Sequence, residues 1–216
     1  MHKLDRAAVP APACLVGLYQ HGVHSWDNLT QANKQEIRQQ LTLLQGERCA
    51  YCEGPPYAEG HIEHFRRKNA AHFPELTFVW DNLFLACGSP DHCGHYKDRP
   101  GAPGYDPNHL IKPDVHDPDA FLYFHSSGEV RLRPGISEDA TERANETIRV
   151  FNLNCGELQA ERRRALKIYE KREPGILEAL IRFDEQSRQG FIEQEIQATR
   201  HDPYWTTIRH FFEKAH

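Results

Sequence analysis

Four of the six cysteines fall within one 45-residue stretch, as Cys49-Ala50-Tyr51-Cys52 and, about 35 residues later, Cys87 and Cys93. A single C-x-x-C motif is ambiguous, because it serves redox chemistry as well as metal binding. Two cysteine pairs together suit one tetrahedral zinc, and a fully thiolate ligand set leaves no open position for catalysis. The zinc expected here is therefore structural, holding two loops rigid where the chain is too short for a core. Cys14 and Cys155 stand apart and read as small buried hydrophobes.

Between the cysteine pairs lies His61-Ile62-Glu63-His64-Phe65. In an extended strand, Ile62 and His64 face one way, His61 and Glu63 the other. Glu63 offers a hard oxygen ligand, and His64 a neutral base near pH 7. Taken alone, such a His–Glu pair is more often a solvated surface feature. Here Trp80-Asp81-Asn82-Leu83 follows, then the second cysteine pair, then Lys97. Arg66, Arg67 and Lys68 lie directly after the histidine and can grip phosphates. Arg162-Arg163-Arg164 can do the same or form a solvated helix face. Trp80 reads as a core residue rather than a base-stacking platform.

The order C-x-x-C, acid-His, Asn-Leu, Cys…Cys-x-x-x-Lys resembles the zinc-containing branch of the HNH, or ββα-metal, nucleases. The segments CAYCE, HIEHFRRK, TFVWDNLFLAC and HCGHYK are similar to the PtuB-like HNH effectors of retron-associated and Septu-type anti-phage systems. HLIKPDVHDPDAFLYF and ERANETIRVFNLN extend the resemblance over most of the chain. The resemblance implies an endonuclease that hydrolyses phosphodiester bonds. His64 then activates water, Glu63 ligates the catalytic metal, and Asn82 orders the loop that carries the histidine. Many HNH enzymes place His or Asn directly after the last cysteine, where this chain has Gly94. His95, one residue on, can substitute as the second ligand, with His92 and Asp91 as alternatives. Lys97 joins Arg66, Arg67 and Lys68 as an expected nucleic-acid contact. The implied cofactors are the structural zinc and a catalytic divalent cation, magnesium or manganese, with nickel also admitted by a histidine ligand. The implied partners are a DNA or RNA substrate, a PtuA-like ATPase and a retron reverse transcriptase with its RNA–DNA hybrid. Two rivals stand beside this: the same nuclease aimed at host RNA such as a tRNA, as an abortive-infection toxin, and a non-catalytic zinc-stapled adaptor. An HNH site contacts the scissile phosphate and reads few bases, so the residues do not separate DNA from RNA.

The elements that must position these residues follow from periodicity. The chain predicts an α+β protein: a zinc-stapled ββα-metal (HNH) module set in a mostly helical scaffold with one β-hairpin. Residues 1–45 read as an N-terminal helical segment, with a helix over about 28–45 capped by Thr30 and ended by Gly46. Residues 46–100 form the nuclease module, with a short strand at His61–Phe65. Residues 101–135 carry a proline-rich loop and a hairpin over Phe121–Arg133 around Ser126-Ser127-Gly128. Residues 136–216 read as helices beginning at Ser137 and spanning Glu157–Arg172, Pro174–Gln189 and Pro203–Lys214. Phe191, Trp205, Phe211 and Phe212 spread over more than one helical face, which suggests docking of a larger partner.

The net charge of −5, from 26 basic and 31 acidic residues, excludes a protein that holds nucleic acid by its overall field. Nothing approaches the roughly 20 apolar residues that span a bilayer, and no apolar run follows the charged Met1–Arg6. The expected location is cytoplasmic, with no membrane partner, and there clustered cysteines bind metal rather than form disulfides.

Overall fold

The computed structural model describes residues 1–57 and 60–213. Helix α1 spans Gln31–Gln45. The Thr30 side chain accepts from the Asn33 N–H at its start, and Gly46, at φ 64°, closes its end with a bond to the Thr42 carbonyl. Ile37, Leu41 and Leu44 form its buried stripe, at the three- and four-residue spacing of a helix face.

After the first cysteine pair, strand β1 (His61–His64) pairs antiparallel with β2 (Leu83–Ala86), bringing Glu63 opposite Phe84 and His64 opposite Leu83. Every residue of β2 is buried, so the small sheet sits in the core rather than on its edge. Helix α2 (Cys93–Lys97) follows after a six-residue connection. A second antiparallel pair joins β3 (Leu122–Phe124) to β4 (Val130–Leu132), within the predicted hairpin. The rest is helical: α3 (Glu138–Val150), capped by Ser137, and α4 (Gly156–Arg172). Then come α5 (Ile176–Arg182), α6 (Glu185–Ala198) and α7 (Trp205–Phe212). The fold is thus mixed and mostly helical with two small sheets.

The predicted helix over Pro174–Gln189 is two helices. Asp184 caps the start of α6 by accepting from the Ser187 N–H, so the turn chemistry at Asp184 overrides the continuous pattern. The Lys214 end of the last predicted helix lies outside the described residues.

One apolar core runs from Met1 and Leu4 through α1, the cysteines, both sheets and α3 to Leu158 and Tyr204. A smaller one joins Leu166, Tyr169, Ile176, Leu180, Ile192, Ile208 and Phe212, with Phe191 and Phe211 packed against it. The C-terminal aromatics expected as a docking face are therefore largely spent on this second core. Trp205 is half-buried and donates its indole N–H to the Ile196 carbonyl at 3.1 Å. Arg162 is also interior: it is fully buried and donates to the Gly128 and Leu153 carbonyls at 2.9 and 2.7 Å. It is a core residue, not a phosphate grip. Among the described residues, no helix is long and apolar enough to cross a membrane.

Candidate metal centre and active site

The Sγ atoms of Cys49, Cys52, Cys87 and Cys93 all lie within 4.8 Å of one another, and all four residues are buried. Three local features converge them. The tight turn after α1 carries the first pair, β2 ends directly before Cys87, and Cys93 takes φ 60° as it opens α2. With Zn–S near 2.3 Å, a tetrahedral site has an S–S edge of about 3.8 Å. The Cys52–Cys87 separation is 3.9 Å. The sulfurs compete for ionisation: bonds from Cys49, Cys87 and Cys93 pull Cys52 well down, whereas Cys93, by burial and then its thiol neighbours, is pushed up. A dication relieves that conflict, so the quartet fits zinc. The His92 ring adds to it, with Nδ1 3.4 Å from Cys87 Sγ and 3.2 Å from Cys93 Sγ. His92, read from the sequence as an alternative second metal ligand beside Glu63, is thus turned toward the cysteines instead. Asp91 is exposed, and the cleft described below is lined without it.

Next to Gly94 of α2, the Glu63 side chain is buried. One oxygen lies 2.8 Å from Lys97 Nζ and the other 3.1 Å from His61 Nε2. Burial pushes this carboxyl up, but the Lys97 ammonium and His61 outweigh it and hold it down at about 2. His95 is exposed and stacks on His61, with ring centroids 3.9 Å apart. The structure therefore brings Glu63 and His95 together through His61, a residue whose role the sequence did not suggest. The available signal was its two-residue spacing from Glu63, which puts both on one strand face.

Lys97 is buried and also donates to the His64 carbonyl at 3.1 Å and to Asp98 at 2.8 Å. Read from the sequence as a nucleic-acid contact, it is instead an internal counter-charge. The cost of burying an ammonium is met by several oxygens around it.

His64 lies on the opposite face of β1. Its Nε2 is 3.0 Å from the Thr77 carbonyl, and Trp26 meets it edge-on at 4.6 Å. A carbonyl only accepts, so Nε2 carries the proton and Nδ1 keeps a lone pair. Burial pushes this imidazole down to about 4, against the opposing pull of Thr77, so it is neutral at pH 7. Asn82 clamps the loop that leaves His64. Its Oδ1 accepts from the Arg66 N–H at 2.8 Å, and its Nδ2 donates to the Arg66 and Leu76 carbonyls at 3.0 and 3.2 Å.

Glu63, His61, His64 and His95 line one open cleft of about 950 Å³, together with Arg67, Lys68 and Arg99. Arg67 is half-committed within the protein, donating to Asp98 and to the Lys97 carbonyl at 2.6 Å each. Arg66 donates to Asn108 at 2.6 Å. Beyond His61 and Ile62 a second hollow of about 230 Å³ is lined by Trp26, Gln31, Lys34, Gln35 and Arg38. The basic residues of α1 were not among those singled out from the sequence, because only the fold brings that helix to the cleft.

Comparison with known proteins finds no matching family model. The chain is similar to a Septu protein. That relative is Septu protein PtuB of Bacillus mycoides (strain KBAB4), 27% identical to this chain over 202 residues. The match covers 78% of this chain and 65% of that relative. The chain therefore corresponds to just under two thirds of the relative's length.

Proposed function

We propose that this chain is a metal-dependent HNH-type endonuclease that hydrolyses phosphodiester bonds of nucleic acid in Septu-type anti-phage defence. In this reading a PtuA-like ATPase is its partner, and in some systems a retron reverse transcriptase with its RNA–DNA hybrid. The observation that carries the chemistry is the pair Glu63 and His64. They are adjacent on one strand and open to one cleft, with the carboxylate held ionised and the imidazole held neutral. Neighbouring groups pushed toward opposite tasks are the pattern of an acid–base site. Similarity to Septu protein PtuB supports the defence role.

His64 has the lone pair of Nδ1 to take a proton from the attacking water while the Thr77 carbonyl fixes its ring. The new P–O bond forms as the ester P–O bond breaks and the leaving oxygen departs. Glu63, with the histidine donors beside it, would hold the divalent cation. Bound there, that cation supplies neutralisation of charge on the phosphoryl and leaving oxygens. Asn82 holds the loop after His64 in register, and Lys68 with the outer flank of Arg67 lies where phosphates would approach. The cysteine quartet, as a closed zinc site, fixes α2 against β1 without touching the chemistry.

The test is cleavage of plasmid DNA and of tRNA in magnesium or manganese by the chain with its ATPase partner, comparing wild type with His64→Asn. We expect turnover to fall about 10²–10⁴-fold in the variant, the usual worth of a positioned base. A folded, zinc-replete His64→Asn protein that cuts at the wild-type rate removes the assignment.

A further inference from the structure

Resting on the nuclease reading above, the backbone at position 94 points to a ligand that the motif does not name. Gly94 is buried on α2, facing β1. A Cβ placed on it would come within 2.5 Å of Glu63 Oε2 and 2.8 Å of His61 Nε2. The space that a side chain at 94 would fill is therefore already taken by the Glu63–His61 pair. We infer that His61 is a ligand of the catalytic cation, chelating it together with Glu63 in the place a side chain at position 94 would otherwise reach.

Three observations support this. The first is the spacing of the donors. Two ligands cis to each other on an octahedral ion, each about 2.1 Å from it, are about 3.0 Å apart. His61 Nε2 and Glu63 Oε2 are 3.1 Å apart. A hydrogen bond has the same length, so the second observation bears on the proton: His61 Nδ1 is buried and, among the described residues, has no hydrogen-bond partner. Without a cation the ionised Glu63 draws the ring proton to Nε2. When a cation takes its place between Nε2 and Oε2, that proton can move to the unpartnered Nδ1, which leaves the Nε2 lone pair for the metal. Third, Lys97 holds the other Glu63 oxygen at 2.8 Å, which fixes the carboxylate and turns Oε2 toward His61.

The same arrangement sets the metal preference. With Lys97 offsetting part of the Glu63 charge and an imidazole as the second donor, the site lacks the hard oxygen set that magnesium favours. Imidazole nitrogen favours first-row transition ions, so manganese should bind more tightly than magnesium. His95, exposed and stacked on His61, steadies the ring rather than leading the coordination.

Calorimetric titration of the zinc-loaded full chain with Mn²⁺ or Mg²⁺ tests this without any assay of cleavage. We expect tighter binding of Mn²⁺, and a loss of Mn²⁺ affinity in His61→Ala of at least the 10–100-fold seen for changes outside the ligand shell. His95→Ala should lose less. Zinc content and circular dichroism report folding. If His61→Ala does not retain its zinc, His61→Asn withdraws the donor while keeping a polar side chain. Wild-type Mn²⁺ affinity in the His61 variant, or a greater loss in His95→Ala, overturns the assignment. Mn²⁺ binding through His61 with no cleavage of any nucleic acid upholds the site while rejecting the nuclease reading. Full cleavage with the His61 variant does the reverse.

Discussion

Lys97 Nζ lies 2.8 Å from a carboxylate oxygen of Glu63, with side-chain exposures of 0% and 6%. Breaking a buried pair by removing one partner strands the other charge, at a typical cost of about 3–5 kcal/mol. Lys97→Met should destabilise by that amount in urea unfolding, whereas a surface phosphate contact would cost almost nothing. A change below about 1 kcal/mol would show that Lys97 is not the counter-charge of the site.

His64 has two roles that a substitution removes together. Besides its lone pair, it satisfies the Thr77 carbonyl and packs against Trp26. His64→Ala should therefore lose about 1–3 kcal/mol through the unpaired carbonyl, besides the loss of cleavage that the proposed role entails. Thermal unfolding of the zinc-replete variant measures the first loss independently of the second. Unchanged stability would mean that the ring is not seated as described.

Zinc removal should be felt beyond the cysteines. Glu53, next to Cys52, accepts from the Thr206 N–H and Oγ1 at 2.9 and 2.5 Å, and its carbonyl accepts from the Tyr204 N–H at 3.1 Å. The first cysteine turn thus anchors the start of α7. Cys93→Ser should release one zinc per chain by elemental analysis. It should also raise hydrogen exchange at Tyr204–Ile208 as well as around Cys49–Gly54. Exchange confined to the cysteine turn would break that link.

The cysteine cluster, the strand at His61, the hairpin and the capped starts of α1 and α3 were legible because each rests on local chemistry: paired thiols, alternation, and Thr30 or Ser137 as caps. What the sequence hid was tertiary. Lys97 sits two residues after the exposed His95, and nothing local says that its ammonium turns inward onto Glu63. Arg162 lies within a run of three arginines and has the same composition as its exposed neighbours, yet it is interior. His61 and Gly94 are 33 positions apart, and their exchange of space appears only when α2 is laid across β1. The Asp184 cap was legible in principle but was overrun by the periodicity on either side of it.

Asp119 ties the C-terminal helix to the hairpin and gives that junction a pH dependence. It pairs with Arg209, and His210 Nε2 lies 3.1 Å from its other oxygen. The Phe124 N–H donates to His210 Nδ1 at 2.9 Å, so Nε2 is the protonated nitrogen facing Asp119. Burial pushes the Asp119 carboxyl up, but His210 and Arg209 outweigh it and hold it below 3.8. A depressed folded value means the unfolded chain binds the proton more tightly. The stabilisation is thus complete above about pH 4 and is lost as pH falls through the folded value. Asp119→Asn should be less stable than wild type at pH 7 by about 1.5–3 kcal/mol, the worth of a hydrogen bond to a charged group. That gap should narrow as pH falls below 4. A constant gap from pH 7 to pH 3 in urea titrations would contradict this.

The lone chain should hold nucleic acid weakly. Its 31 acidic residues outnumber its 26 basic ones, so the long-range field does not favour a polyanion. The fold reduces the local supply further: Lys97 and Arg162 are interior, Arg67 donates to Asp98, and Arg66 to Asn108. Lys68 and the outer flanks of Arg67 and Arg99 remain at the cleft, enough for about three phosphate contacts. Each contact contributes about −0.9 to the slope of log affinity against log salt on duplex DNA. Three contacts give a slope of about −2.7, a fall of about 40-fold between 50 and 200 mM salt. Fluorescence anisotropy with a labelled duplex measures both the slope and the affinity. We expect a shallow slope and affinity no tighter than about 10⁻⁶ M near physiological salt, in the range of non-specific binding. A partner subunit would then supply the remaining contacts and steepen the slope. Nanomolar binding by the isolated chain, with a slope of six or more contacts, would show that a basic surface outside this cleft carries the substrate.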